Sequence, residues 1–196
     1  MHPFKHLLLR GALACLLALG AGSAIAGPLH YVRIDTTALA GRSGYLDFLF
    51  LGLGDAAAAQ ARVSLLEGAF TGPDFTLGSA SGDASGGLVL DNSGAWSEAG
   101  LWADFGGVLR FAVDFDLAPG PDTGTTLSVA LLDASLNYLE GTSGDILRFA
   151  LQPGRPVDVF ADPAFARVGD QPLPEAPTLW LLGAGVLLMA RRVRRR

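Results

Sequence analysis

Val108-Leu109-Arg110-Phe111-Ala112-Val113-Asp114-Phe115-Asp116-Leu117 changes character at almost every step. Leu109, Phe111, Val113, Phe115 and Leu117 share one parity, and Val108, Arg110, Ala112, Asp114 and Asp116 share the other. Successive strand side chains point to opposite faces, so this pattern predicts a strand with one face in a core and one in water. The same reading extends outward in both directions. Residues 29–35 alternate Tyr31, Arg33 and Asp35 against Val32 and Ile34, and 45–51, 62–66, 75–77, 88–90 and 101–105 are short apolar or alternating runs. Residues 125–132, 146–151 and 157–160 complete the series, with Gly-, Asp- and Pro-bearing turns at 79–87, 91–94 and 119–124. Short strands at a spacing of roughly 8–12 residues indicate an all-β chain, a β-sandwich or jelly roll. Residues 55–60, with four consecutive Ala, are the one helix-like patch, too short to hold a helix alone.

The chain has three unlike parts: 1–26, 27–170 and 171–196. Its 196 residues suffice for one domain with a proper core. Of 14 basic residues, Lys5 and Arg10 lie near the start, and Arg191, Arg192, Arg194, Arg195 and Arg196 lie at the end. The seven remaining Arg face 18 Asp and Glu over residues 27–173, a balance of about −11. Nucleic acid and anionic lipid are bound through basic patches, so this acidic stretch is not expected to bind either by charge.

Residues 1–10 carry Lys5 and Arg10, 11–22 are Leu/Ala-rich, and Ala24-Ile25-Ala26 is a small-x-small site. That is the order of a secretory signal peptide, with cleavage expected after Ala26 by signal peptidase. Cleavage would remove Cys15, the only cysteine, so the exported chain would have no internal disulfide. At the other end, 171–177 is Pro-rich and 178–190 is uncharged and mostly apolar. At about 1.5 Å per residue the apolar stretch reaches roughly 20 Å against about 30 Å of hydrocarbon, a short membrane helix. The Arg cluster after it favours the cytoplasmic side, leaving 27–173 outside.

Pro174-Glu175, Pro177, the apolar stretch and the Arg tail together resemble the PEP-CTERM sorting domain of Gram-negative bacteria. The resemblance implies an envelope-sorted substrate of exosortase, a membrane transpeptidase-like enzyme, and a link to exopolysaccharide and biofilm. Ala176 stands where that motif usually has its second Pro. His30-Tyr31-Val32-Arg33-Ile34-Asp35-Thr36 and Gly44-Tyr45-Leu46-Asp47-Phe48 are similar to the opening of a PEP-CTERM group with no assigned activity. Asp104-Phe105-Gly106 and the strand from Leu109 to Phe115 fit the same group.

Residues that carry chemistry are few. His30 is the one histidine of 27–173 and lacks a Cys partner, so a structural or exposed role is expected. Gly82-Asp83-Ala84-Ser85-Gly86-Gly87 misses the Gly-Asp-Ser-Gly-Gly run of trypsin-like proteases by an inserted Ala84, and reads as a loop. Asp114 and Asp116 share a strand face, where a solvated surface is a simpler account than a glycosidase pair. Asp122-Thr123-Gly124 and Asp91-Asn92-Ser93-Gly94 offer oxygen ligands suited to calcium but lack its loop order and serve as turns. Trp96 and Trp102 could stack on sugar rings from one strand face, although at least one is expected in the core. The expected function is a non-enzymatic, exported surface protein without a cofactor; a carbohydrate-binding module for extracellular polysaccharide is the alternative, and a glycoside hydrolase the more distant one.

Overall fold

The computed structural model describes residues 28–142 and 144–170. The expectations placed on 1–26 and 171–196 lie outside the described residues. Twelve strands run in the order β1 (His30–Asp35), β2 (Ser43–Gly52), β3 (Ala59–Glu67), β4 (Phe75–Gly78), β5 (Ser81–Asp83) and β6 (Gly87–Asp91). They continue as β7 (Trp96–Asp104), β8 (Val108–Leu117), β9 (Thr125–Leu132), β10 (Leu147–Leu151), β11 (Asp158–Ala161) and β12 (Ala166–Asp170). One 3₁₀ turn, Thr37–Leu39, joins β1 to β2.

The strands form two six-stranded antiparallel sheets, all-β as the alternation predicts. Sheet A has the order β12-β1-β8-β3-β6-β5 and sheet B the order β11-β10-β9-β2-β7-β4. Pairing is nested: β1 with β8 and β3 with β6 in sheet A, β2 with β7 in sheet B. The inward faces enclose one core, in which Leu109, Phe111 and Val113 of β8 meet Leu46, Phe48 and Phe50 of β2. Phe48 and Phe111 touch edge to face, with ring centroids 5.2 Å apart and 75° between planes. A buried Phe is worth about 3–5 kcal/mol against Ala, so this contact between the two sheets is among the strongest single ties in the fold.

The β8 alternation is realised as expected, with Leu109, Phe111 and Val113 buried and Arg110 and Asp116 exposed. The structure adds to the sequence reading at three places. The Ala-rich patch 55–60 forms no helix, as its shortness predicts; Ala59 and Gln60 already belong to β3 and pair with Leu117 and Asp116. Asn92 clamps that segment open: its Oδ1 accepts from Ala59 N at 2.9 Å and its Nδ2 donates to Ala57 O at 2.8 Å. Six residues cannot meet the cost of helix nucleation against such tertiary bonds. The turn expected over 79–87 contains the edge strand β5, and β12 also escapes the apolar pattern. Both are edge strands on backbone pairing, with little apolar alternation to betray them.

Candidate functional site

The outward faces of the two sheets differ in chemistry. Sheet A is laced with ion pairs: Arg33–Asp35 at 3.1 Å, Arg62–Asp114 at 3.3 Å and Arg110–Glu67 at 3.7 Å. Such exposed pairs add about 0–1 kcal/mol each and mark an ordinary solvated surface. Sheet B instead carries a transverse row of Leu77, Glu98, Leu49, Ser128, Arg148 and Phe160, set by the pairing of β4, β7, β2, β9, β10 and β11. Beside it runs a second row, Trp96, Leu51, Thr126, Ala150 and Asp158. Of the large apolar side chains exposed among the described residues, all but Leu65 lie on or beside this face. Leu65 sits instead at a bulge in β3, with φ of 53°. Clustered exposed apolar surface marks an interaction site, whereas scattered residues do not.

Both candidate tryptophans stand on this face. Trp96 and Trp102 belong to β7, whose alternate residues Ser97, Ala99, Leu101 and Ala103 fill the core side. Neither Trp is in the core, which corrects the expectation for at least one of them. The physical reason is parity, since the small residues between them are the ones the neighbouring sheet can accept. Trp96 is 40% exposed. Trp102 is half-buried, edge-on to Tyr45 at 4.9 Å, and Tyr45 is edge-on to Phe75 at 5.0 Å. Close packing here requires glycine, because a Cβ at Gly100 would strike the Phe75 ring and one at Gly72 would strike Trp102. Six residues of strand separate the two indoles by roughly 20 Å.

Between these aromatic ends lies a pocket of about 190 Å³ lined by Asp47, Glu98, Ser128, Tyr138 and Asp145 among others. Asp47 belongs to the outward side of β2, yet it is only 6% exposed. Its cover comes from the loop after β9, which folds back through the Leu132–Tyr138 bridge and brings Leu136 and Tyr138 to the pocket. Asp133 fastens that loop, accepting from Ser135 N at 2.8 Å and Asn137 N at 3.0 Å. Asp145 accepts from Ser128 Oγ at 2.8 Å and from Arg148 Nη2 at 3.3 Å. Asp47 Oδ1 is buried without a hydrogen-bond partner. Burial first, then the charge of Glu98, push the Asp47 carboxyl up from its usual 3.8 to about 7. The Tyr138 hydroxyl is also held protonated, raised by burial and then by Asp145.

The other sequence candidates are not brought together. Asp114 and Asp116 lie on sheet A's outer side, as the solvated reading expects, and Asp114 pairs with Arg62. His30 is buried rather than exposed, its ring 5.3 Å from Phe149 and 6.0 Å from Phe115. The protease-like run is the β5–β6 hairpin: Asp83 Oδ1 accepts from Ser85 N at 2.7 Å, Ser85 Oγ at 2.6 Å and Gly86 N at 2.8 Å. Asp91 accepts from Ser93 N at 2.9 Å in the same manner. The sorting residues Pro174, Glu175 and Pro177, the Arg tail, and Ala24 and Ala26 lie outside the described residues. Sequence reasoning missed Asp47, Glu98 and Asp145. The signal available was an acid inside the otherwise apolar run of β2, Tyr45-Leu46-Asp47-Phe48-Leu49-Phe50-Leu51.

Among known proteins, no family model, no curated protein and no solved structure matches this chain.

Asp47 sets a pH dependence of stability. Its folded pKa is raised, so its contribution is full below 3.8 and is lost as pH rises to about 7. The lowered carboxylates Asp35, Asp83, Asp91 and Asp133 act in the opposite direction, through acidification below the ordinary carboxylate range. Asp47→Asn should therefore stabilise the chain at pH 8, by an amount on the order of 4 kcal/mol, and much less at pH 5. Denaturant unfolding at both values checks this; an equal gain at each pH would show that Asp47 is not held protonated.

Proposed function

We propose that this chain is an exported, non-enzymatic surface protein whose jelly-roll domain binds extracellular polysaccharide on the outer face of sheet B. The observation that carries the reading is the contrast between the two outer faces: sheet A's is ion-paired, while sheet B's gathers Leu51, Leu77, Trp96 and Phe160 beside the Arg148–Asp145 pair. Polysaccharides present flat apolar ring faces edged by hydroxyls. Aromatic platforms with hydrogen-bonding groups between them suit that surface. The nested strand pairing supports the jelly-roll assignment.

Glycoside hydrolysis fits the same face less well. It needs two carboxyls flanking a glycosidic bond, about 5 Å apart or more. Asp47 and Glu98 sit on adjacent strands, where the Glu98 charge raises Asp47 further, and the Asp47 carboxyl is buried beneath the loop after β9 rather than set along an open cleft.

Export and sorting complete the proposal. Residues 1–26 direct secretion, and 178–190 with the five terminal Arg hold the chain in the membrane until exosortase acts near Pro174-Glu175. The support is the order of these parts in the sequence. The surface protein should then begin at Gly27 and lack Arg196. Mass spectrometry that found Met1 or Arg196 on surface material would overturn this half of the reading.

Affinity electrophoresis through gels of soluble polysaccharides tests the binding half. Trp96→Ala should weaken retardation about tenfold or more, as loss of a central aromatic contact does. Arg62→Ala, on sheet A, should leave it unchanged. Equal losses from both substitutions, or retardation by no polysaccharide, would contradict the assignment to sheet B.

A further inference from the structure

Three carboxyl side chains, Asp47, Glu98 and Asp145, line one pocket in the middle of the sheet-B face, midway between its aromatic ends. A neutral sugar meets carboxyls with hydroxyl donors alone, which bring no charge to offset theirs. Asp145 is already answered, by the Ser128 hydroxyl at 2.8 Å and the Arg148 guanidinium at 3.3 Å. Asp47 and Glu98 form no ion pair with any Arg of the described residues. Asp47 is nine-tenths buried with Oδ1 unpartnered, a costly arrangement that a folded chain keeps where something else offsets it.

The group that complements Asp47 and Glu98 is a positive charge that also donates hydrogen bonds. A proton now fills part of that place, because burial and Glu98 keep the Asp47 carboxyl protonated up to about pH 7. A metal ion demands several oxygens at fixed short distances. An ammonium group is less demanding: it donates three N–H bonds to separate acceptors and has no fixed coordination shell. Trp96, 40% exposed, is a surface for a ring on one side, and the half-buried Tyr45, Phe75 and Trp102 cluster stands on the other. The ammonium that suits the place is therefore one carried on a sugar.

We propose that Asp47, Glu98 and Asp145 form a subsite for the ammonium group of an amino sugar in a polysaccharide lying across sheet B. This rests on the polysaccharide reading of that face and adds its chemical selectivity. Binding exchanges the proton on Asp47 for the ammonium, so affinity rises from pH 5 to 7 and falls again once the amine loses its own proton. The groups facing Asp47 are Glu98 from β7 and Asp145 and Tyr138 from the segment between β9 and β10, with Arg148 of β10 behind Asp145.

The test is calorimetric titration of the whole chain with a glucosamine oligosaccharide, its N-acetylated counterpart and a glucose oligosaccharide of equal length. The free-amine oligosaccharide should bind at least about tenfold more tightly at pH 7, the scale of one charge-assisted hydrogen-bonded contact. Its affinity should be bell-shaped in pH while the other two stay flat. Asp47→Asn and Glu98→Gln should each erase the preference yet leave the Trp96-dependent binding of neutral oligosaccharides. Equal binding of all three would overturn the subsite and leave the polysaccharide face standing. Binding of none would overturn both. Methylamine bound as tightly as the oligosaccharide would overturn the assignment to a sugar. Shortening of the oligosaccharide during titration would overturn it too, marking Asp47 as a proton donor to the glycosidic oxygen.

Discussion

Strand β2 places Asp47 and Phe48 next to each other in sequence and on opposite sides of a sheet. Phe48 faces Phe111 across the core; Asp47 faces the pocket. The two positions are locked together, because a slip of one residue would drive a carboxylate into the core and a phenyl ring out of it. The core therefore dictates where the acid goes. β2 is also hydrogen-bonded on both edges, to β7 and β9, so Glu98 and Ser128 arrive beside Asp47 through the same register. The pocket's floor is thus a consequence of central-strand packing, and its cover comes from the segment between β9 and β10.

The unequal outer faces follow from the same parity rule applied to both sheets. In sheet A the outward positions of β1, β3 and β8 include Arg33, Asp35, Arg62, Glu67, Arg110 and Asp114, which neutralise one another along β1 and between β3 and β8. In sheet B the outward positions include Leu51, Leu77, Trp96 and Phe160, which gain nothing from water. Single exposed apolar residues are common in stable proteins, but their collection on one side is not. Burial of that side by a ligand would recover apolar area left unused in folding. The loop after β9 shows the local cost: Leu136 is held at φ of 61°, a left-handed conformation unusual for a branched residue, at the rim of the acid pocket.

Much of the fold was legible in the sequence, and for one reason. Wherever a strand has a buried and a solvated face, period-two alternation reports it, as in β8 and β1. Edge strands β5 and β12 were not legible because backbone pairing defines them and few of their side chains enter the core. The Ala patch is legible as too short for a helix, but composition knows nothing of the Asn92 clamp that holds it at the start of β3. The candidate site was half legible. Trp96 and Trp102 were visible as amphipathic aromatics on one parity. The pocket was hidden because its acids come from β2, β7 and the segment before β10, far apart in sequence. Nothing in the residues alone says that a loop folds over Asp47 and dries it.

The central claim is that the outer face of sheet B is the working surface of this domain. Nuclear magnetic resonance of the labelled protein during titration with a bound oligosaccharide tests it most directly. The predicted result is a set of shift changes centred on the Trp96 indole and on Leu49, Leu77, Glu98 and Tyr138, with Arg62, Arg110 and Asp114 unmoved. Changes concentrated on sheet A, with the Trp96 indole unmoved, would contradict it.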